Sequence, residues 1–290
     1  MLVVGGGGRL ARAIGRAAPG RARLESRRNL DIRDPAAVRE RLAALRPAAL
    51  VNCAVVNGVD AIEQAPEPAH AVNALAPGVL ARCCAETGTP FIHISTDYVF
   101  GGRDGGPWPE DAPHAPVNAY GRMKAEGEAR VLEAFPGACV VRVAWLFGDG
   151  GCFVAQMIER ARRQGEISVV ADQVGSPTPI NALATRLLAL ADLMAAGDVR
   201  VPQVLHLAGG PPVSRFDWVR TAFEAYREAG GEALRLRPVA QGSTDAAAPR
   251  PAFSALDVSR AEALFGWRLP WAERTAAIGR AGALAERPEG

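Results

Sequence analysis

Four consecutive glycines, Gly5 to Gly8, follow directly on the apolar run Leu2-Val3-Val4 and lead into Arg9-Leu10-Ala11 and a helical pattern that continues through Ala18. A short buried strand, a turn without Cβ atoms and a helix, in that order, leave few folds open. Such a turn lets the backbone approach a pyrophosphate closely, and the helix start turns its free N–H groups and positive dipole end toward the phosphates. Read as G-x-x-G-x-x-A, the turn places Gly5, Gly8 and Ala11 at the key positions, with Arg9 and Leu10 opening the helix. Glycines alone would serve equally well in a flexible loop. Their place behind an apolar strand favours a nucleotide site.

The same alternation continues. Ala22 to Leu24 reads as a second strand ending in Glu25-Ser26-Arg27-Arg28. An acid at such a strand end accepts from ribose hydroxyls and suits NAD, whereas a nearby arginine such as Arg27 suits the extra phosphate of NADP. Both are present, so NADPH and NADH stay open. Asp34-Pro35 supplies an N-cap and a first-turn proline for a helix to about Leu45. Ala49 to Ala54 reads as a third strand, Asn73 to Thr87 as mostly helix, Phe91 to Ile94 as a fourth strand and Cys139 to Val143 as a fifth. Strands and helices in this rhythm predict an α/β, Rossmann-like, doubly wound parallel sheet with helices on both faces. Ligands of such sheets bind outside the C-terminal strand ends, which delivers Ser95-Thr96-Asp97 to the edge that carries the glycine turn. A threonine hydroxyl there can bond a substrate carbonyl. An ordinary polar turn would look the same without the tyrosine that follows.

That tyrosine, Tyr120, precedes Lys124 by four residues, and Lys124 is the only lysine among 33 basic residues. With three tyrosines in the chain, chance puts the sole lysine at that offset roughly one time in a hundred. If Ala119 to Phe135 is a helix, residues four apart share a face. An ammonium beside the phenol then favours the phenolate and is expected to lower its pKa, which suits a general acid. Arginine is no substitute for a compact head that must reach both a phenol and a cofactor ribose.

A net charge of +2 spread over interspersed arginines and acids argues against a nucleic-acid surface, and Arg160, Arg162 and Arg163 read as one solvated helix face. Cys53, Cys83, Cys84, Cys139 and Cys152 show no C-x-x-C pair and read as reduced thiols, and the four histidines are scattered, so no metal site is expected. A lone His93 in an apolar strand reads as a satisfied core residue. The first residues enter a strand and no apolar run is long enough for a membrane span, so the expectation is a cytoplasmic protein without a leader. Residues 1–147 read as the dinucleotide-binding domain, with about 180–207 returning to it, and 148–290 as mainly a smaller C-terminal substrate-binding lobe. Gly101 to Pro116 reads as a loop over the site. Gln241 to Pro251, low in apolar bulk, reads as a loose segment.

Taken together, these motifs resemble the extended short-chain dehydrogenase/reductases, and more narrowly the dTDP-4-dehydrorhamnose reductase family. The resemblance runs through most of the chain: the glycine turn, Leu30-Asp31-Ile32, Val51-Asn52-Cys53-Ala54, Ser95-Thr96-Asp97-Tyr98-Val99-Phe100, Tyr120 with Lys124 and Glu128, Arg142-Val143-Ala144-Trp145, Asp172-Gln173 through Pro177-Thr178, His206-Leu207-Ala208-Gly209 and Arg250-Pro251. Sugar-nucleotide dehydratases of this superfamily carry Glu after the Thr-Asp pair. Tyr98 stands there and favours a reductase.

The resemblance implies reduction of the 4-keto group of a dTDP-4-keto-6-deoxysugar by NADPH or NADH. It implies Thr96, Tyr120 and Lys124 as the catalytic set with Asp97 assisting, Asp31 and Ile32 beside the adenine, and Cys53, Ala54 and Val55 beside the ribose and phosphates. Trp145 and Tyr98 would face the sugar, and Arg250 the nucleotide phosphates. It allows a homodimer through helices, although no self-complementary surface can be read from the residues. Departures cluster near these contacts: Val55-Val56-Asn57-Gly58 replaces a more usual Ala-Tyr-Thr-Ala, and Ala144 replaces a serine. They leave two other readings on the table, an epimerase or dehydratase that recycles its cofactor and a non-catalytic nucleotide-binding regulatory subunit.

Overall fold

Short apolar rows buried on both faces make the central sheet, as expected of parallel strands covered by helices on either side. The computed structural model describes residues 1–102, 106–148, 151–243 and 246–284. Its sheet strands are β1 (Leu2–Val4), β2 (Arg23–Glu25), β3 (Leu50–Asn52), β4 (Phe91–Thr96), β5 (Cys139–Val143) and β6 (Val204–His206). They run parallel in the order β6-β5-β4-β3-β1-β2. The register places Leu2 beside Leu50 and Leu50 beside Phe91, then Val3, Val51 and Ile92 one step on. Alternation sends the two rows to opposite faces.

Val3, Val51, Ile92 and Val141 pack under the helices Arg9–Ala17 and Ile180–Ala195, through Leu10, Ile14, Leu183 and Leu187. Leu2, Leu50, Phe91 and Val140 pack on the other face against Val38, Leu42, Leu80 and Val131, from the helices Pro35–Leu45, Ala76–Thr87 and Ala119–Ala134. Asp34 caps its helix as expected, its carboxylate accepting from the Ala36 and Ala37 N–H groups at 2.9 and 3.3 Å. One expected helix is divided. Ala71–Leu75 is a π-helical turn ahead of Ala76–Thr87, placed where Pro77 has no N–H for the Asn73 carbonyl.

Three further helices, Phe153–Gln164, Arg215–Glu228 and Ala272–Leu284, close around Trp218. They are flanked by the parallel pair Glu166–Val170 and Arg235–Val239. Residues 103–105 of the expected loop and 244–245 of the segment expected to be loose lie outside the described residues. The rest of that segment is tied down: Ala248 N–H donates to Asp60 at 3.0 Å, and the Asn118 side chain donates to the Pro249 carbonyl at 2.9 Å. Its anchors are polar rather than apolar, which is why composition alone suggested looseness. Among the described residues no helix is long and apolar enough to cross a membrane.

Candidate active site

At the C-terminal ends of β1, β3, β4 and β5 the chain leaves two adjoining cavities of about 330 and 480 Å³, which share Gly8, Cys53, Ala54 and Val55 in their walls. Gly5 turns the chain at φ +80°, and a Cβ there would come within 2.5 Å of the Ala54 nitrogen. Only glycine permits that approach. Gly8 then begins the Arg9–Ala17 helix with no side chain capping it, so the first-turn N–H groups face the cleft unclaimed. Arg9 crosses to the far wall, donating to the Leu146 carbonyl at 2.7 Å.

The larger cavity is walled by Gly5, Arg27, Arg28, Asp31 and Ile32. Glu25 is absent from it. That carboxylate is buried and held inward by Arg41 and by Arg23, at 2.8 Å from the latter. The strand end therefore offers the cleft cationic rather than acidic side chains.

The smaller cavity is walled by Leu10, Thr96, Asp97, Tyr120, Lys124 and Trp145 among others. Tyr120 reaches it because the helix Ala119–Ala134 starts in one fixed place. Asn118 caps it, accepting from the Gly121 N–H at 2.8 Å, and Ala119 N–H donates to Glu63 at 2.6 Å. Gly121 lets this first turn sit against β4's continuation, since a Cβ there would fall on the Tyr98 carbonyl oxygen. The Tyr120 hydroxyl shares a hydrogen bond with Thr96, and its ring meets Tyr98 edge-on at 5.9 Å. Burial, and then the Asp97 charge, push the phenol above its ordinary value. This reverses the sequence expectation that Lys124 lowers it, because the lysine is engaged elsewhere: Nζ lies 2.8 Å from the Ile94 carbonyl and 3.1 Å from His93 Nε2. Burial lowers the Lys124 pKa to about 8.

Four residues further along the same helix, Glu128 is buried on Arg142 and accepts from Ser95. Tyr120, Lys124 and Glu128 thus form a ladder along one helix face, from the cleft to the core. Cys53 also lines the cleft, but burial pushes its thiol up to about 12, so it is no nucleophile at neutral pH.

Asp97 is fastened from two directions. Thr96 donates to Oδ1 at 3.0 Å and Ser254 to Oδ2 at 2.6 Å, while burial raises its pKa to about 6. Trp145 adopts a left-handed φ of 41°, uncommon for a bulky residue, and its indole stacks on Trp218 at 5.7 Å. Arg215, which sequence reasoning missed, lies over that indole at 4.0 Å, donates to Gln173 at 2.7 Å and hydrogen-bonds to the Tyr98 hydroxyl. Its only signal in the sequence was its position after the Ser214 helix cap. Tyr98 and Arg250 do not wall the cavities. Arg250 grips Asp60 with two bonds of 3.1 and 2.7 Å and meets the site through the Tyr98 hydroxyl.

Comparisons with known proteins agree with this architecture. The family model of the RmlD substrate binding domain matches residues 1–281. The dTDP-4-dehydrorhamnose reductase of Mycolicibacterium smegmatis is 43% identical over 266 residues, covering 90% of this chain and 78% of that protein. That of Mycobacterium tuberculosis is 45% identical over 242 residues, covering 81% and 76%. The crystal structure of the Bacillus anthracis dTDP-4-dehydrorhamnose reductase in complex with NADP superposes with a TM-score of 0.87 at 28% identity, covering 96% of this chain and 97% of that one. With a site at the strand ends and a match through nearly the whole chain, the protein belongs to the dTDP-4-dehydrorhamnose reductase family.

Proposed function

We propose that this protein reduces the 4-keto group of a dTDP-linked 4-keto-6-deoxysugar, with NADPH as the preferred reductant. The observation that carries the reading is the convergence of Thr96, Tyr120 and Lys124 on the cleft that also receives the uncapped helix start. Gly5, which leaves no room for a Cβ, and the free N–H groups behind Gly8 fit a dinucleotide pyrophosphate. Ala54, Val55, Asp31 and Ile32 would border its adenosine half. When bound, the reduced dinucleotide supplies a hydride to the carbonyl carbon.

The protein's own part is to hold the oxygen and deliver a proton. Tyr120 keeps its proton at neutral pH, because burial raises the phenol. An alkoxide growing at the sugar C4 is far more basic than a phenolate, so Tyr120 donates to it. Thr96, already bonded to Tyr120, would turn its one hydroxyl hydrogen from Asp97 Oδ1 to the same oxygen and so fix its position. Lys124, in the wall of the same cleft, would hold the cofactor ribose beside the tyrosine. Trp145, held by Trp218 and Arg215 and in the cleft wall, would offer a flat apolar surface to the sugar ring.

The preference for NADPH is supported by Glu25 being consumed by Arg23 and Arg41 while Arg27 and Arg28 line the cavity. A ribose 2′-phosphate suits guanidinium groups, and Asp31, a carboxylate in that wall, is already bonded to Arg33.

The test follows NADPH and NADH oxidation at 340 nm with dTDP-6-deoxy-L-lyxo-4-hexulose, beside a Tyr120→Phe variant. Turnover reduced by about 10²–10⁴ in the variant, with dinucleotide affinity retained, is expected for loss of a general acid. An unimpaired variant would remove the proposal.

A further inference from the structure

Trp145 stands in the wall of the smaller cavity with Thr96 and Tyr120, and three neighbours fix where its indole lies. Its backbone is not free to move: φ is left-handed at 41°, and its carbonyl accepts from the Thr178 N–H at 3.2 Å. The Trp218 ring stacks on the indole at 5.7 Å and 29°, and the Arg215 guanidinium lies 4.0 Å from its centroid. Neither of these two has room to give way. Trp218 is 1% exposed and meets Phe147 and Phe153 at 5.2 and 5.6 Å. Arg215 is tied to Gln173 at 2.7 Å and packs over Phe153 at 5.2 Å.

The third neighbour is Gly175, which is not part of the cavity wall. A Cβ there would come within 2.4 Å of Cε2 and Cζ2 of the indole and 2.9 Å of Nε1, far inside the 3.5–4.0 Å at which carbon atoms settle. Gly175 has no left-handed φ, so its backbone shape would suit other residues as well. What requires a glycine is the space. Its strand has no room to retreat either: Val174 N–H donates to the Ala252 carbonyl at 2.7 Å, Ser254 N–H donates to the Val174 carbonyl at 2.9 Å, and Gly175 pairs with Val213.

We infer that Gly175 is a positioning residue for the reaction: by giving up its side chain it lets the Trp145 indole stand back, and so sets the room left in the cleft for a sugar ring facing Thr96 and Tyr120. This rests on the keto-sugar reduction proposed above. With Trp218, Arg215 and the strand all held, a methyl added at 175 has one neighbour that yields, the indole, and one open direction, the cavity.

The test is Gly175→Ala, alone and combined with Trp145→Leu. In the single variant KM for the keto-sugar should rise about tenfold, as overpacking of 1–3 kcal/mol would give, with KM for NADPH nearly unchanged. A rise shared equally by both, or by neither, overturns the inference. In the Trp145→Leu background the same alanine should change KM for the sugar by less than about twofold, because it has lost the ring through which it acts; an undiminished effect overturns the inference. Position is also read without substrate. The stacked Trp145 and Trp218 indoles give an exciton couplet in circular dichroism, identified by its loss in Trp145→Leu. Gly175→Ala should remove most of it, and an unchanged couplet overturns the inference. If the wild type reduces no keto-sugar, the function proposed above fails by itself, while a couplet lost in Gly175→Ala still upholds Gly175 as the residue that places the indole. Should Gly175→Ala alone not fold, folding regained in the double variant supports the inference and continued failure overturns it.

Discussion

Arg142 donates from Nε and Nη2 to the Glu128 carboxylate at 3.1 and 2.8 Å, and neither side chain is more than 3% exposed. The pair pins the helix that carries Tyr120 and Lys124 to β5. Cutting a buried ion pair on one side leaves the other charge stranded, at a cost of about 3–5 kcal/mol. Arg142→Leu is expected to lower stability by that amount in urea unfolding. A loss under about 1 kcal/mol would show that Ser95 and His114 satisfy Glu128 without the arginine.

Acid should unfold this protein in two overlapping steps. Burial beside Arg142 lowers the His206 pKa from 6.5 to about 3, and Glu128, against its own burial, is held near 2 rather than 4.5 by His114, Arg142 and Ser95. Both groups bind fewer protons folded than unfolded across those windows, so stability falls as pH falls. The His206 share goes between 6.5 and 3 and the Glu128 share between 4.5 and 2. Unfolding free energy measured against pH should slope downward from pH 6.5 toward acid, less steeply between 6.5 and 4.5 in His206→Gln. A flat profile from pH 6.5 to 4.5 contradicts the His206 assignment, and one that stays flat from 4.5 to 2 contradicts both.

Gly121 sets how closely the catalytic helix approaches β4. In Gly121→Ala the new methyl collides with the Tyr98 carbonyl, and the backbone must give way. Stability should fall by about 1–3 kcal/mol, as for other overpacked sites. Turnover should fall further than binding, because displacing Tyr120 spoils proton delivery. Equal effects on kcat and on dinucleotide affinity would place the damage elsewhere.

If NADPH is the reductant, as proposed, Arg27 and Arg28 in the cavity wall carry the preference. Replacing both with alanine removes two charge-assisted contacts, worth about 1.5–3 kcal/mol each at most. KM for NADPH should rise at least tenfold, with KM for NADH nearly unchanged. A parallel rise in both would mean that the arginines support the cavity rather than read the ribose.

Much of this was legible from local patterning. Strand, glycine turn and helix mark one wall of the cleft within a dozen residues, and Thr96, Asp97, Tyr120 and Lys124 mark another, because each depends on neighbours in sequence. The rest depends on contacts across the chain. Ser254 holds Asp97 from 157 residues away, Arg215 covers Trp145 from a helix in the other lobe, and neither carries a local mark. Glu25 left the choice of dinucleotide open for a related reason: its strand-end position suits a ribose, yet Arg41, which turns it inward, arrives from the following helix. The direction of the Tyr120 shift depended on where a flexible lysine points, and spacing says nothing of that.

Lys124 is 2% exposed, in the middle of a helix packed on the central sheet. A protease that cuts after lysine therefore has a single target bond in the chain, out of reach in the native fold. Each cut records one molecule that has opened the helix Ala119–Ala134, and it leaves two fragments whose junction lies in the proposed site. The yield of those fragments against time measures the free energy of that opening when reclosing outpaces cleavage. The residue proposed to serve the chemistry doubles as a built-in reporter of how often the site comes apart.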